Sequence, residues 1–159
     1  MVQQSNTSTL RAAWRALDGS TGEGGWRTIP LEMKGNCRLL AGRYFPGNEE
    51  AILVGFRSVS VPQDKNLPQG HGFRVNRIER NIVADGHVWV SLARLTAGSL
   101  DMFALMAEDI VNFLNSRTTE SEDSIFHAFL GRIRAWQNFM DREGAGILSA
   151  EAETGLFGE

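Results

Sequence analysis

The chain of 159 residues is poor in several residue types, with one cysteine, one tyrosine and only two lysines, Lys34 and Lys65. A single cysteine, Cys37, cannot form an internal disulfide, and it has no Cys or His nearby in the sequence with which to bind a metal. We interpret Cys37 as a small buried hydrophobic residue. No apolar run approaches the ~20 residues that a membrane helix needs, and no secretory signal pattern is visible at the N-terminus. We therefore expect a soluble, cytoplasmic protein.

Charge is unevenly distributed along the chain, although the formal net charge is only −3. Residues 1–98 carry 12 Lys+Arg and 8 Asp+Glu, a balance of +4, whereas residues 99–159 carry 4 and 11, a balance of −7. The basic residues are almost all arginines, which suit bidentate contacts to phosphates or base edges. Arginine richness also accompanies GC-rich genomes, so composition alone leaves both interpretations open.

Periodicity in the first two thirds of the chain predicts one helix and five strands. Apolar residues at helical spacing predict a helix over 7–17. Strands are expected over 26–32, 37–45, 51–59, 73–80 and 87–95, with Pro46-Gly47-Asn48 and Asp85-Gly86 as hairpin turns. Between the two hairpins, 60–70 reads as a long exposed loop. No connection between strands is long enough for a crossover helix, so the sheet should be mostly antiparallel.

Two amphipathic helices are expected after the strands. Ser99 is placed to cap the first, which ends near Arg117, and Thr119 with Glu122 has the spacing of a capping box for the second. Wide apolar stripes on both helices indicate that they pack on the sheet. The sequence therefore predicts an α+β domain with an N-terminal helix, about five mostly antiparallel strands and two C-terminal helices.

Familiar catalytic patterns are not found in this sequence. It has no local Ser/His/Asp motif, no glycine-rich phosphate loop followed by Lys and Ser or Thr, and no cluster of metal-ligand residues at recognisable spacing. On its own residues the chain does not resemble an enzyme.

The arginines of the predicted strands are candidates for contact with nucleic acid. Aromatic residues stand near them, and guanidinium groups interleaved with aromatic rings suit phosphate contacts and base stacking. The alternative is that these arginines pair with acidic residues of the same region, Glu32, Glu49, Glu50 and Glu79. The candidate nucleic-acid-binding residues are Arg43, Arg57, Arg74, Arg77 and Arg80, with Trp26, Tyr44 and Phe56 as nearby aromatic surface.

The last quarter of the chain resembles an uncharacterised prokaryotic family of PD-(D/E)XK nuclease-like proteins that occur with restriction and antiphage defence genes. Three segments carry the specific part of this resemblance: 132–140, Arg-Ile-Arg-Ala-Trp-Gln-Asn-Phe-Met; 147–151, Ile-Leu-Ser-Ala-Glu; and 155–159, Gly-Leu-Phe-Gly-Glu. The order of the upstream elements agrees in outline. The resemblance implies a nuclease core that follows Glu159, with magnesium-bound water as the expected attacking group.

The same resemblance suggests how the chain is divided. Residues 1–145 would form an accessory or recognition domain, and 146–159 would be the junction and first turns of a nuclease-like core, with Ser149 capping its first helix. Glu159 matches an early metal-binding glutamate of such cores. We expect the segment to lack the catalytic Asp and Glu-x-Lys, so it should hold no cofactor and should not cleave DNA by itself.

Two functions are compatible with these observations. In the first, the domain recognises DNA for a restriction-type endonuclease. In the second, it is an interaction module that docks the nuclease to another defence protein or to a second copy of itself. The arginine excess of the first 98 residues favours DNA, and the acidic total charge favours a protein partner.

Overall fold

The computed structural model describes the backbone of residues 2–19, 24–79 and 86–154, and the side chains of 9–19, 24–79 and 86–142. Helices and strands follow one another in this order: α1 (Val2–Leu17), β1 (Gly25–Pro30), β2 (Arg38–Phe45), β3 (Glu49–Phe56), a 3-10 turn (Asp64–Asn66), β4 (Phe73–Ile78), β5 (Val88–Arg94), α2 (Leu100–Asn115) and α3 (Glu122–Thr154). The predicted α+β class is confirmed.

The five strands form one sheet in the order β1-β2-β3-β5-β4, and every neighbouring pair is antiparallel. β5 therefore lies between β3 and β4, which leaves β1 and β4 as the two edges. The chain passes from β3 to the far edge before it returns, and the segment over 57–72 makes this passage.

Both hairpin turns predicted from sequence fall between paired strands. In the first, Asn48 has a positive φ of 68°, a conformation that Asn tolerates better than most residues, and its amide donates to the carbonyl of Tyr44. In the second, Gly86 has a φ of 81°. Asp85, its predicted turn partner, lies outside the described residues.

All three helices contribute to one large core on a single face of the sheet. Period-two alternation turns Leu39, Ile52 and Val90 toward the helices. Helical residues pack against them, among them Trp14, Phe103, Met106, Ile110, Phe129 and Ile133, each 0–2% exposed. Cys37 is buried in the same core, as predicted.

The segment over 60–70 is more buried than its composition suggested. Val59, Val61 and Leu67 all belong to the core, although the polar residues between them are exposed. The prediction of an exposed loop is wrong for these apolar positions, because the segment crosses the edge of the helix layer on its way from β3 to β4.

The start of α3 also differs from the prediction. The hydroxyl of Ser121, and not Thr119, accepts the amide of Ser124 at 3.2 Å. Glu122 does not complete a capping box, because its carboxylate accepts the amides of Arg57 and Ser58 at the end of β3. At the other end α3 continues to Thr154 without a break, so Ser149 does not begin a helix of its own.

Among the described helices, none combines the length and the apolar character needed to cross a membrane.

Candidate nucleic-acid interface

The sheet face that points away from the helices has a row of small residues across its middle. Strand pairing aligns Gly42 of β2, Ala51 of β3, Ala93 of β5 and Arg74 of β4 in one line. Gly42 and Ala51 are buried, with Leu53 and Trp26 packed over Gly42, whereas Ala93 and Arg74 line a depression on this face. Ser91 and Ala93 of β5 line its middle, and we call it the sheet depression.

Two aromatic rings border the β1–β2 side of the sheet depression. Trp26 and Tyr44 are directly paired across the two strands, and their ring centroids lie 5.0 Å apart at an interplanar angle of 54°. Trp26 is half-buried against the small cluster of Leu40, Leu53 and Trp89 on this face, whereas Tyr44 is 45% exposed. The Trp26 ring is therefore held by buried neighbours, whereas the Tyr44 ring is accessible to a ligand.

Polar side chains border the opposite side, on edge strand β4. Arg74 is exposed and its Nε donates to the Asn76 side-chain oxygen at 2.9 Å. Asn76 in turn donates to Asp64 at 2.8 Å, and Asp64 also accepts the amide of Arg77. These bonds hold the Nε of Arg74 on the Asn76 side chain at the border of the depression.

The sheet depression has the dimensions of a site for a molecule of nucleotide size. Its volume is about 910 Å³, within the range of ligand sites in proteins. From β2 to β4 the sheet spans three strand spacings, or about 14 Å. Three acidic and three basic residues line it: Glu49, Asp64, Glu79, Arg74, Arg77 and Arg94.

The five arginines predicted to contact nucleic acid do not form one surface. Arg74 and Arg77 both line the sheet depression, although they leave β4 on opposite faces, as the alternation predicted. The Arg77 guanidinium is held by the Val61 carbonyl and by Glu79. Pairing with Glu79 is the alternative considered from sequence, and it is confirmed for this residue.

Arg43 is a structural residue. It lies on the helix face, is 7% exposed, and donates to the carbonyls of Trp14 and Asn48. Its guanidinium also lies 3.5 Å from the carboxylate of Glu50, which Arg94 contacts at 2.8 Å. Burial removes Arg43 from any surface that DNA could touch. Phe56, another predicted surface residue, is fully buried against Phe126.

Arg57 is not part of the sheet depression. It is exposed after the end of β3, six residues beyond Ala51, which corresponds to about 20 Å along the strand. Arg80 lies outside the described residues. Among the four described arginines of the predicted set, Arg74 and Arg77 are the two brought together.

Two contributors to the depression were missed from sequence. Asn76 orients Arg74, and Glu49 stands directly opposite Tyr44 on the neighbouring strand. The signal for Asn76 was its spacing of two from Arg74, which puts both on one face of a strand. Glu49 could not be found without the hairpin register, because the strand was expected to begin at Ala51.

In the ranges whose side chains are described, no three His, Cys, Asp or Glu residues lie close enough to hold a metal ion. Glu159, the predicted metal ligand, is outside those ranges. Glu32-Met33-Lys34 has Glu-x-Lys spacing, contrary to the expectation that this motif is absent. It lies in the β1–β2 connection, where the side chain of Asn115 binds the Glu32 carbonyl and the Lys34 amide.

Comparisons with known proteins agree with the resemblance seen in the sequence. No curated protein and no solved structure matches the chain. Residues 10–159 match the family described as "Putative PD-(D/E)XK family member" (DUF4420). The match includes the second half of α1, the whole sheet and both C-terminal helices. The chain therefore belongs to this PD-(D/E)XK family.

Proposed function

We propose that residues 1–145 form the DNA-recognition domain of a restriction-type PD-(D/E)XK endonuclease that acts in prokaryotic antiphage defence. The observation that carries this proposal is the sheet depression, with the Trp26–Tyr44 pair on one side and Arg74 on the other. Membership of the nuclease-like family makes DNA the natural ligand for such a surface.

The two sides of the depression offer the two contacts that nucleic acid requires. An exposed aromatic ring provides a stacking surface that accepts any base, and a guanidinium binds phosphate through paired donors. Tyr44 and Arg74 supply these groups about 14 Å apart across the sheet. Arg74 is the principal phosphate contact, because Arg43 is buried and Arg77 is already held by Glu79.

Electrostatic attraction in this site is modest. Glu49, Asp64 and Glu79 also line the depression, and the net charge of the chain is −3. The dependence of affinity on salt reflects the number of phosphates neutralised, with a slope of about −0.7 to −0.9 per phosphate. One or two arginine contacts therefore give a shallow slope, of about −1 to −2.

Recognition is separated from cleavage in this proposal. The described residues do not gather the carboxylates that a nuclease needs for a metal ion, and the one Glu-x-Lys stands in a strand connection. Cleavage would depend on a nuclease core assembled with residues beyond 145, where Glu159 is one proposed metal ligand. Magnesium would there supply the activated water for phosphodiester hydrolysis.

DNA binding by the 159-residue chain tests the proposal. We expect binding to labelled DNA at low salt, measured by fluorescence anisotropy, and a loss of about ten-fold or more in affinity for Arg74→Glu. The matched control is Arg134→Glu, which makes the same charge change at an exposed position of α3. Absence of binding at low salt, or equal losses for the two variants, would contradict the proposal.

A second candidate function is supported by an apolar surface on the helices. Leu105 of α2 is 55% exposed and Phe139 of α3 is 38% exposed. Trp136 lies between them, since its ring contacts Phe139 and its Nε1 donates to Asp109, one turn after Leu105. This surface suits an interaction module that docks to a defence protein or to a second copy of the chain.

Gel filtration distinguishes an interaction module from a DNA-recognition domain. An interaction module should elute as a dimer, or as a complex with the product of a neighbouring gene, and Phe139→Asp should abolish the association without affecting DNA binding. If Phe139→Asp leaves the elution unchanged, the helix surface is not the interface.

A further inference from the structure

Stacking on the Trp26–Tyr44 pair requires a base whose flat face is accessible. In a duplex each base face is covered by its neighbours, and a protein reads only base edges and the backbone. The pair lies at the side of a depression that Ser91 and Ala93 also line, and Tyr44 is 45% exposed. A surface of this shape accepts a base that has left the stack more readily than the edge of a continuous duplex.

Glu49 places a hydrogen-bond acceptor beside Tyr44. It lies directly opposite Tyr44 in the β2–β3 register, so the two Cβ atoms are about 5 Å apart. Its Oε1 is buried and has no hydrogen-bond partner within the described part of the chain. An ionised carboxylate only accepts hydrogen bonds, so a ligand group that bonds to this oxygen must be a donor. Every unpaired base offers such a donor on its Watson–Crick edge, from an exocyclic amino group in cytosine, adenine and guanine and from the ring N3–H in thymine.

From these contacts we infer that the sheet depression binds an unpaired nucleotide. The base stacks on Tyr44, a donor on its Watson–Crick edge reaches Glu49, and a neighbouring phosphate lies against Arg74 on β4. Glu49 shares a row with Tyr44 and not with Arg74, and its carboxylate lies over Gly47 of the hairpin turn, so it is closer to the base than to the phosphate. This inference rests on the proposed DNA-recognition function and narrows its substrate to single-stranded or extruded nucleotides.

The depression also explains why a nucleotide fits better than a larger ligand. The floor between Tyr44 and Arg74 is about 14 Å wide, which matches a base with its sugar and adjoining phosphate rather than a peptide strand or a protein surface. Its two sides differ in chemistry, aromatic against cationic, as do the two ends of a nucleotide. The contact to Asn76 holds Arg74 in place for this role.

The test compares affinities of the 159-residue chain for single-stranded oligonucleotides of about 10 nucleotides and for the corresponding duplex. We expect the single strand to bind at least about five-fold more tightly, and Tyr44→Ala to weaken its binding by about 5- to 150-fold, as the loss of one stacked base predicts. Tyr44 is 45% exposed, so this variant should remain folded. Trp26→Ala is the second variant, with circular dichroism to confirm its fold.

The role of Glu49 is tested with Glu49→Ala, which should weaken single-strand binding by about five-fold or more. Glu32→Ala removes the same charge at an exposed position away from the sheet depression and is the control. Unchanged or tighter binding by Glu49→Ala would overturn the role of Glu49.

The remaining outcomes separate the inference from the proposed function. Duplex binding that equals or exceeds single-strand binding and is unaffected by Tyr44→Ala would overturn the inference, while loss of that duplex binding in Arg74→Glu would still support DNA recognition. No binding to either form at low salt would overturn both.

Discussion

The guanidinium of Arg43 lies 3.5 Å from the carboxylate of Glu50, and both side chains are buried beneath α1 on the helix face of the sheet. Replacement of Arg43 by Met should lower the free energy of unfolding by about 2–4 kcal/mol, because it leaves two carbonyls without a donor and Glu50 with only Arg94. Urea denaturation measures this loss. Arg74→Met, at an exposed position, should change stability by less than about 0.5 kcal/mol. Equal stability of the two variants would show that the Arg43 cluster does not support the fold.

The contact between Glu122 and the end of β3 should stabilise the fold as much as a helix cap does. Its carboxylate accepts the amides of Arg57 and Ser58 at 2.7 and 3.0 Å. Glu122→Ala should therefore reduce stability by about 1–3 kcal/mol. Asp123→Ala is the matched control, since this exposed carboxylate interacts only with the helix dipole and its loss should cost about 0.3–1 kcal/mol. Similar losses in thermal unfolding would mean that the β3 contact adds nothing.

Acid should weaken the junction of α2 and α3. Two hydrogen bonds from Arg132, with a further one from Trp136, hold the pKa of Asp109 below its usual value. A carboxylate with a depressed folded pKa adds stability above its unfolded pKa of about 3.9, and this stability is lost as pH falls through the folded value. Asp109→Asn should thus be less stable than the native chain at pH 7, by about 1 kcal/mol, and equally stable at low pH. A difference independent of pH would contradict this assignment.

Cys37 should resist thiol reagents in the folded protein. Burial raises the pKa of its thiol to about 11, so almost no reactive thiolate is present at pH 8. Its side chain is also buried in the main core, out of reach of a reagent. We expect labelling by a maleimide to appear only with denaturant and to follow the unfolding curve. Rapid labelling at pH 8 without denaturant would indicate that the β1–β2 connection opens in the native state.

Sequence periodicity was sufficient for the fold class because each element has a clear apolar face. Alternation along β2 places Leu39, Ala41 and Phe45 on one covered face of the strand. It places Leu40 and Tyr44 on the opposite face. The same parity places Arg43 with the covered residues. Its burial was therefore predictable, but a charged residue in a strand was read as surface because nothing in the sequence identified Glu50 as its partner.

The remaining features of the fold depend on pairings between distant residues, which the sequence does not reveal. The order β3-β5-β4 depends on which edge the chain reaches after β3, and the polar residues over 60–70 do not specify that path. Likewise, the capping box at Thr119 has the right local spacing, yet Glu122 forms better hydrogen bonds with the free amides at the end of β3. The sheet depression brings together residues of strands that are distant in the sequence, so it could not be seen before the strand order was known.

Photochemical cross-linking locates the DNA contact most directly. An oligonucleotide that carries 5-iodo-deoxycytidine would be bound to the 159-residue chain, irradiated, and the attached peptide identified by mass spectrometry. We expect cross-links at Tyr44 or Trp26, the aromatic side of the sheet depression. Cross-links confined to the α3 pair of half-buried Trp136 and exposed Phe139 would contradict the proposed DNA contact and place it on the helices.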